Sequence, residues 1–184
     1  MLKPVPDEVL RTEHDAMRAL LTALEHFAEG IRREDAFSKD DLYDAMSVLS
    51  DFADRCHTGK EETILFPAMV KTTPGNAELV KELAEDHVLF REYIASIRDL
   101  LPKARTRAIR RRIAGRLRTY ARLHKEHMRV VDEELLPQVH RLLPEGERER
   151  IVKAFAHVEE REIGWGMKDA YGAIIRRLVK TYRE

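Results

Sequence analysis

The sequence has few of the residues that end helices or cross-link a chain. Of its 184 residues, 8 are glycine, 7 are proline and only one, Cys56, is cysteine. A single cysteine excludes a disulfide framework within the chain and favours a reducing compartment. The shortage of glycine and proline, together with the near absence of strand patterns, favours an all-helical protein.

The chain also lacks an excess of either charge, a long apolar run and a leader pattern. Its 33 Lys and Arg residues are balanced by 33 Asp and Glu residues, so no overall charge favours binding to nucleic acid or to a membrane. No apolar run approaches the length of about 20 residues that crosses a bilayer. The N-terminus has no basic stretch followed by an apolar one, as a signal peptide would. We therefore expect a cytoplasmic protein with no membrane partner.

Four segments carry the apolar stripe of a helix that packs in a bundle. In each segment, apolar residues recur at alternating spacings of three and four residues. The stripes run through residues 10–31, 42–64, 80–101 and 109–142. Each stripe contains a histidine where leucine would be the ordinary choice: His14, His57, His87 and, in the last stripe, His124 or His127.

The four predicted helices form two similar pairs along the chain. The matching residues are Glu13-His14 with Asp86-His87, His57 with His127, and Pro67 with Pro137. Two similar helical hairpins that pack together form an up-down-up-down four-helix bundle with approximate two-fold symmetry. We therefore expect an all-α fold in which residues 1–144 form the bundle. Residues 145–184, interrupted near Gly164-Trp165-Gly166, are expected to form a helical extension packed on it.

Five residues are expected to meet at one level of this bundle, because positions early in helices one and three lie beside positions late in helices two and four. They are His14, His57, Glu61, His87 and His127. His57 and Glu61, four residues apart, share a helix face and can reach one ion or bridge two. Buried imidazoles without partners cost free energy, and a metal ion satisfies several at once. Imidazole and carboxylate ligands without clustered thiolates suit iron or manganese, and zinc less specifically.

Four motifs surround these positions. They are Glu13-His14-Asp15 with Arg18, His57-x-x-x-Glu61-Glu62 before Leu65-Phe66-Pro67, Asp86-His87 with Arg91, and His127 before Leu136-Pro137. Together they resemble the hemerythrin-like HHE cation-binding family over residues 8–143, and the segment 155–178 is similar to the C-terminal extension of some bacterial members. The resemblance implies a four-helix bundle that holds an oxo- or hydroxo-bridged pair of irons. It also implies that the four histidines are ligands and that Glu61 is a bridging carboxylate.

The sequence departs from the family pattern in the fourth helix. Many members place glutamate four residues after the last histidine, where this chain has Val131. Asp132, five residues after His127, matches the arrangement of the oxygen-carrying hemerythrins and is our first prediction for the second bridging carboxylate. Glu134 is the alternative, because seven residues return it to the helix face of His127.

Two further positions bear on the ligand set. Arg91 stands where the oxygen carriers have a second histidine on the third helix, so one iron is expected to have fewer imidazole ligands. His124 lies nearer the centre of the apolar stripe than His127 and is an additional or alternative ligand. The spacing to Pro137 favours His127.

The family resemblance implies a non-haem diiron protein that binds or senses dioxygen, nitric oxide, peroxide, or the cellular redox or iron state, together with an unidentified redox partner. Peroxide removal and iron delivery are alternatives, and other divalent metals fit the same ligands. A different class is a bundle without metal that acts as an interaction module through its C-terminal helices and its basic run.

The basic run occupies residues 103–118 and contains no acidic residue. Such a run is usually a solvated face, and nearby acidic residues are expected to form ion pairs with it. Those acids are Glu34, Asp35, Asp40, Asp41 and Asp44. No aromatic residues are interleaved with these arginines in a nucleic-acid motif, so a nucleic-acid partner is not favoured.

Overall fold

The computed structural model describes residues 5–34 and 37–182. It confirms the predicted all-α class, and the described part of the chain contains no strand. We number the helices α1 (Pro6–Arg33), α2 (39–72), α3 (Ala77–Leu100), α4 (107–142), α5 (Glu145–Glu162) and α6 (Met167–Thr181).

The helix ends follow local signals in the sequence. Pro6 occupies the first turn of α1, where its missing N–H costs no hydrogen bond. Ser38 caps the N-terminus of α2, since its hydroxyl accepts a hydrogen bond from the Asp41 backbone N–H at 3.2 Å. Helix α3 ends in a short 3₁₀ turn that contains Pro102, a residue that cannot continue an α-helix without loss of a hydrogen bond.

Helices α2 and α4 both contain π-helical stretches, and the last stretch in each lies near the C-terminal end of the helix. In α2 the π-helical stretches are Val48–Thr58 and Glu61–Leu65, and in α4 the π-helical stretch is Val131–Leu135. The last stretch in each helix ends two residues before a proline, Pro67 or Pro137. A proline ring clashes with the carbonyl four residues earlier, and a wider turn relieves that clash.

The four long helices run up, down, up and down around two apolar clusters. One cluster takes Met17–Ile31 side chains from α1 together with Leu42 from α2 and Leu101 just after α3. The other takes Leu10 from the opposite end of α1 together with Leu65 from α2. Adjacent helices therefore run antiparallel. Between the clusters lies a layer of buried polar side chains, which we call the polar layer. Its members are His14, His57, Glu61, His87 and His127.

Helices α5 and α6 pack on the bundle and contribute to both clusters. Phe155 of α5 joins the cluster around Leu10, and Ile175 of α6 joins the cluster around Met17. The turn between α5 and α6 contains Gly164 and Gly166, both with positive φ, which L side chains rarely adopt. Trp165, between these glycines, is 86% exposed, and its Nε1–H donates to Glu160 at 2.9 Å.

The basic run lies on α4 and the turn before it. Arg107 and Arg111 pair with Glu34, one of the acidic residues predicted to form ion pairs with the run. Two other predicted acids, Asp41 and Asp44, pair instead with Arg177 of α6, which corrects that expectation. Asp35 lies outside the described residues. None of the helices in the described part of the chain is both long and apolar enough to cross a membrane.

Candidate metal centre

The polar layer brings together four imidazoles, one from each bundle helix. His14, His57, His87 and His127 are all buried. They form two close pairs. The Nε2 atoms of His14 and His57 lie 3.1 Å apart, and those of His87 and His127 also lie 3.1 Å apart.

The carboxylate of Glu61 lies between the two imidazole pairs. Its Oε1 atom lies 3.8 Å from Nε2 of His14 and 3.6 Å from Nε2 of His57. Its Oε2 atom lies 3.1 Å from Nε2 of His87 and 3.6 Å from Nε2 of His127. Each oxygen of one carboxylate thus faces one pair of imidazole nitrogens.

This arrangement fits two metal ions that share Glu61. Both Glu61 oxygens are buried, and neither makes a hydrogen bond with the described residues. A buried carboxylate in that state is costly unless a cation pairs with it. In each half, two imidazole nitrogens and one Glu61 oxygen lie within 4.8 Å of one another. Two nitrogens bound about 2 Å from one ion at neighbouring positions lie about 3 Å apart, as these pairs do.

Each imidazole of the polar layer is also held at its other nitrogen by a carboxylate, which we call an outer carboxylate. The Nδ1 distances are 2.9 Å for His14 to Asp132, 2.9 Å for His57 to Glu13, 3.0 Å for His87 to Glu62 and 3.1 Å for His127 to Asp86. An Nδ1–H that donates to a carboxylate leaves the lone pair on Nε2, which faces the interior. Metal-ligating histidines commonly have such a partner, which fixes the ring and makes the ligating nitrogen more basic.

Two arginines hold two of the outer carboxylates in turn. Arg18 pairs with Asp132. Arg91 donates to Glu62 at 3.0 Å and to Asp54 at 2.7 Å. Burial works to raise the pKa of Asp132 and of Glu62, but hydrogen bonds from the imidazole and the arginine hold both below their ordinary values. Arg91, where the oxygen carriers have a histidine, therefore holds an outer carboxylate in place.

The two hairpins supply equivalent residues to this centre. The equivalent pairs are Glu13 with Asp86, His14 with His87, Arg18 with Arg91, His57 with His127, and Glu62 with Asp132. Glu61 breaks the match, because the equivalent position holds the fully buried Val131. The polar layer therefore has one buried carboxylate between the imidazole pairs where a symmetric arrangement would have two.

The structure does not bring the two predicted candidates for a second bridge into the group. Asp132, the first of the two, accepts a hydrogen bond from His14 Nδ1 and so lies on the outer side of that ring. Glu134, the alternative, is exposed. The physical reason is that α4 presents Val131, not Asp132, at the level of Glu61. The equivalent position of Glu62, five residues after His57, was the sequence signal for the outer role of Asp132.

His124 lies beside the centre but belongs to neither group of ligating atoms. Its Nδ1 atom lies 2.9 Å from the hydroxyl of Tyr120. Its ring stacks on Phe90 with the ring centroids 4.4 Å apart, and its centroid lies 6.1 Å from that of His127. Burial lowers the pKa of His124 well below its ordinary value, and the ring packs in the core against Phe90 and Tyr120.

The remaining histidines and the cysteine lie apart from the group. His26 is half-buried, and His140 and His157 are exposed. Cys56 is buried, and that burial raises the pKa of its thiol to about 11. A thiol held in its neutral form is a poor metal ligand.

Sequence reasoning did not assign roles to Lys60, Glu159 and Lys168, which the structure places behind His57. Lys60 is fully buried and its Nζ lies 2.5 Å from Glu13. Burial works to raise the pKa of Glu13, but His57 and the two lysines hold it well below its ordinary value. Glu159 and Lys168 come from the C-terminal helices, so only the folded chain reveals this contact.

Comparison with known proteins agrees with the geometry of the bundle and the centre. The model of the hemerythrin HHE cation-binding domain family matches residues 5–139, which include all four imidazoles and Glu61. No curated protein and no solved structure matches the chain. Because the family match covers most of the sequence, the chain belongs to the hemerythrin HHE cation-binding domain family.

Proposed function

We propose that this chain is a non-haem diiron protein that binds or senses a small ligand such as dioxygen, nitric oxide or peroxide. One observation carries the proposal. The buried carboxylate of Glu61, without a hydrogen bond from the described residues, turns one oxygen to each of two imidazole pairs. Such an arrangement is costly without cations and is favourable with two.

The donor set supports iron as the metal. Four imidazoles and one carboxylate, without thiolates, suit iron or manganese, whereas a Cys-rich set would favour structural zinc. When bound, a pair of irons supplies reversible one-electron chemistry and positions open to a small ligand. His14 and His57 would hold one ion, His87 and His127 the other, and Glu61 both.

The chain's own residues prepare the centre for ligand binding. The outer carboxylates orient each ring, and the two apolar clusters above and below the polar layer keep bulk water away. The apolar side chain of Val131 occupies the position of a second bridging carboxylate, so the protein would supply few ligands to each ion. Arg91 stands on α3 where the oxygen carriers have a second histidine, so one ion would have fewer imidazole ligands. This difference favours sensing over bulk oxygen carriage.

Metal content tests the proposal directly. Purified chain reconstituted with ferrous iron in the absence of air is expected to hold about two irons, and His87→Ala is expected to lower that number clearly. His140→Ala is the matched control, because His140 is an exposed histidine on the same bundle. Near-ultraviolet absorption after oxidation then reports a bridged pair, and its change with nitric oxide reports ligand binding.

A metal-free interaction module is the second candidate, and Val131 is the observation that favours it. Loss of a carboxylate at this position removes a metal ligand from the centre. The same measurement separates the two candidates. A parent chain that retains no iron, or an iron content that His87→Ala leaves unchanged, contradicts the diiron proposal and favours the module.

A further inference from the structure

The two halves of the centre differ in how far their outer carboxylates reach into water. We call the half with His14 and His57 position A and the half with His87 and His127 position B. In position A the side chain of Glu13 is 0% exposed and that of Asp132 is 10% exposed. In position B the values are 29% for Glu62 and 43% for Asp86.

The C-terminal helices reach the centre on the side of position A. Lys168 of α6 lies 3.0 Å from Oε1 of Glu13, and its Nζ also lies 3.0 Å from Glu159 of α5. Lys60 of α2 contacts the same two carboxylates, at 2.5 Å from Glu13 and 3.2 Å from Glu159. We call these four side chains the lysine–glutamate quartet.

Within the quartet, the two lysines hold the carboxylate of Glu13, which orients His57. Glu13 accepts the Nδ1–H of His57 through Oε2 and contacts both ammonium groups through Oε1. A carboxylate with no exposure to water is stable only when charged partners and hydrogen bonds surround it. Two lysines and two glutamates sum to no net charge, so the quartet can stay buried. Without Glu159 and Lys168, Glu13 would lose one of its two ammonium contacts and Lys60 one of its two carboxylate contacts.

Among the described residues, position B has no such support in the equivalent place. The residue equivalent to Lys60, three positions after the second-helix histidine of its hairpin, is Val130. Asp86, which is equivalent to Glu13, is the most exposed of the outer carboxylates. A hydrogen bond to an exposed carboxylate competes with water, so it orients His127 less firmly than Glu13 orients His57.

We propose that the C-terminal helices make the two metal positions inequivalent: through the lysine–glutamate quartet, position A holds its ion tightly, whereas position B holds its ion weakly and exchanges it. Lys168 and Glu159 act as positioning residues, because they reach the ion only through Glu13 and His57. The inference rests on the proposed metal centre.

Stepwise metal titration of the full chain tests this inference. Metal-free protein is titrated with Co²⁺ alone under nitrogen and followed by calorimetry, and the parent is expected to show a tight and a weak step. Lys168→Gln is expected to weaken the tight step by about 10- to 100-fold, the range typical for loss of an outer contact, and to leave the weak step unchanged. Lys168→Arg, which keeps the charge, is expected to restore most of the tight binding.

Two further variants complete the design. Asp86→Asn is expected to change the weak step and to spare the tight one. Lys125→Gln is the matched control, because Lys125 also pairs with a glutamate, Glu25, but lies outside the quartet. Circular dichroism checks that each variant folds. If Lys168→Gln does not fold, Glu159→Gln and Lys168→Arg provide the comparison.

The outcomes separate failure of this inference from failure of the proposed function. A parent that binds no metal contradicts the metal centre itself. A parent that binds two ions in one step overturns only the inequivalence. Equal weakening of both steps by Lys168→Gln, or no change in either, overturns the role of the quartet.

Discussion

Each imidazole of the centre is fixed at both of its nitrogens, and the two sides have different chemistry. Nδ1 meets a carboxylate on the outside, and Nε2 faces a second imidazole and Glu61 on the inside. A ring held in this way cannot rotate to exchange the two nitrogens without breaking a buried hydrogen bond. The outer carboxylate therefore sets which nitrogen is offered to a metal ion.

This residue-level arrangement predicts the effect of changing Asp132. Asp132→Asn keeps an oxygen that accepts from His14 but removes the negative charge. We expect the chain still to bind two ions, with affinity at one position lower by about 10- to 100-fold. Elemental analysis at saturating metal gives the number, and a chelator competition gives the affinity.

Glu61→Gln provides the contrast, because Glu61 faces both pairs and its loss should weaken both positions. Glu134→Gln is the control, since Glu134 is exposed. If Asp132→Asn weakened both positions, as is expected of Glu61→Gln, Asp132 would be shared by both ions, contrary to its place in the structure.

The sequence predicted the inner residues better than the outer ones. His14, His57, His87 and Glu61 interrupt apolar stripes, so their burial could be inferred from periodicity and they are indeed buried. Their role as metal ligands stays a prediction. The spacing of Asp132 from His127 matches the oxygen carriers and predicts a second bridge. The same spacing separates Glu62 from His57 in the other hairpin, and the structure places Asp132 against Nδ1 of His14.

At the scale of elements, α2 and α4 are equivalent helices that differ at one inward position. Glu61 of α2 corresponds to Val131 of α4, and both residues begin a π-helical stretch before a proline. The wider turn positions the residues that stand four and five places after His57 or His127. The first faces the polar layer, and the second holds an imidazole of the neighbouring hairpin.

This equivalence predicts the outcome of Val131→Glu. Without metal, the variant is expected to be less stable than the parent, because a second buried carboxylate beside Glu61 adds repulsion and loses hydration. With metal, we expect a larger rise in Tm than the parent shows, because binding to the folded state alone stabilises it by mass action. Thermal unfolding with and without Co²⁺ measures both effects.

Val130→Glu is the matched control for that experiment. Val130 is half-buried beside Val131 on α4. The control should give the parent's rise in Tm with metal. An equal response from Val131→Glu and Val130→Glu would contradict the inward position assigned to residue 131.

The contact between α2 and α6 predicts a dependence on pH. Asp41 at the start of α2 accepts the hydroxyl of Tyr182 at 2.5 Å and pairs with Arg177. Burial works to raise the pKa of Asp41, but Tyr182 and Arg177 lower it overall. A carboxyl whose pKa is lower in the folded state stabilises the protein above its unfolded pKa. That contribution is lost as pH falls through the folded pKa.

We therefore expect Asp41→Asn to cost about 1 kcal/mol near neutral pH. The difference from the parent should shrink as the pH falls below about 4, near the ordinary pKa of aspartate. Urea unfolding at several pH values measures the difference. Asp40→Asn is the control, because Asp40 is an exposed aspartate in the same first turn. A difference that grew at low pH would contradict the assignment.

Helix positions were predictable from the sequence, but their internal geometry was not. Ser38 and Pro102 are residue types typical of helix ends, and both stand at helix ends in the structure. The π-helical stretches had only a weak signal, namely Pro67 and Pro137. A proline inside an apolar stripe predicts a distortion, but the kind of distortion depends on how neighbouring helices pack.

At the scale of the whole molecule, bundle and extension share their apolar clusters. Side chains of α6 complete the cluster that also contains Met17 and Leu49, and those of α5 complete the other. Surfaces that share a core unfold together when the shared contacts are large. We therefore expect one cooperative transition for the full chain.

Ile175→Ala tests this expectation. Ile175 is buried on α6, so its truncation is expected to cost about 2–5 kcal/mol and to shift the whole transition to lower temperature. Circular dichroism at a helix wavelength follows the unfolding. Met167→Ala, at a partly exposed residue of the same helix, should have little effect. A separate early transition in Ile175→Ala would show that the extension unfolds alone.

The bundle itself could be predicted from the sequence, but the long-range contacts of the extension could not. The apolar stripes and the repeat of the hairpin are local patterns, and they determine four antiparallel helices. The contact of Lys168 with Glu13 joins residues far apart in sequence, and no local pattern in α6 predicts it.

The exposed turn between α5 and α6 has a consequence for spectroscopy. Trp165 is the chain's only tryptophan, and it is already 86% exposed in the folded protein. Its indole emission therefore reports water before unfolding as well as after it. Tryptophan fluorescence would therefore report local changes of this turn and would be nearly insensitive to conformational changes in the bundle. The buried Tyr120 is the better optical reporter of the bundle.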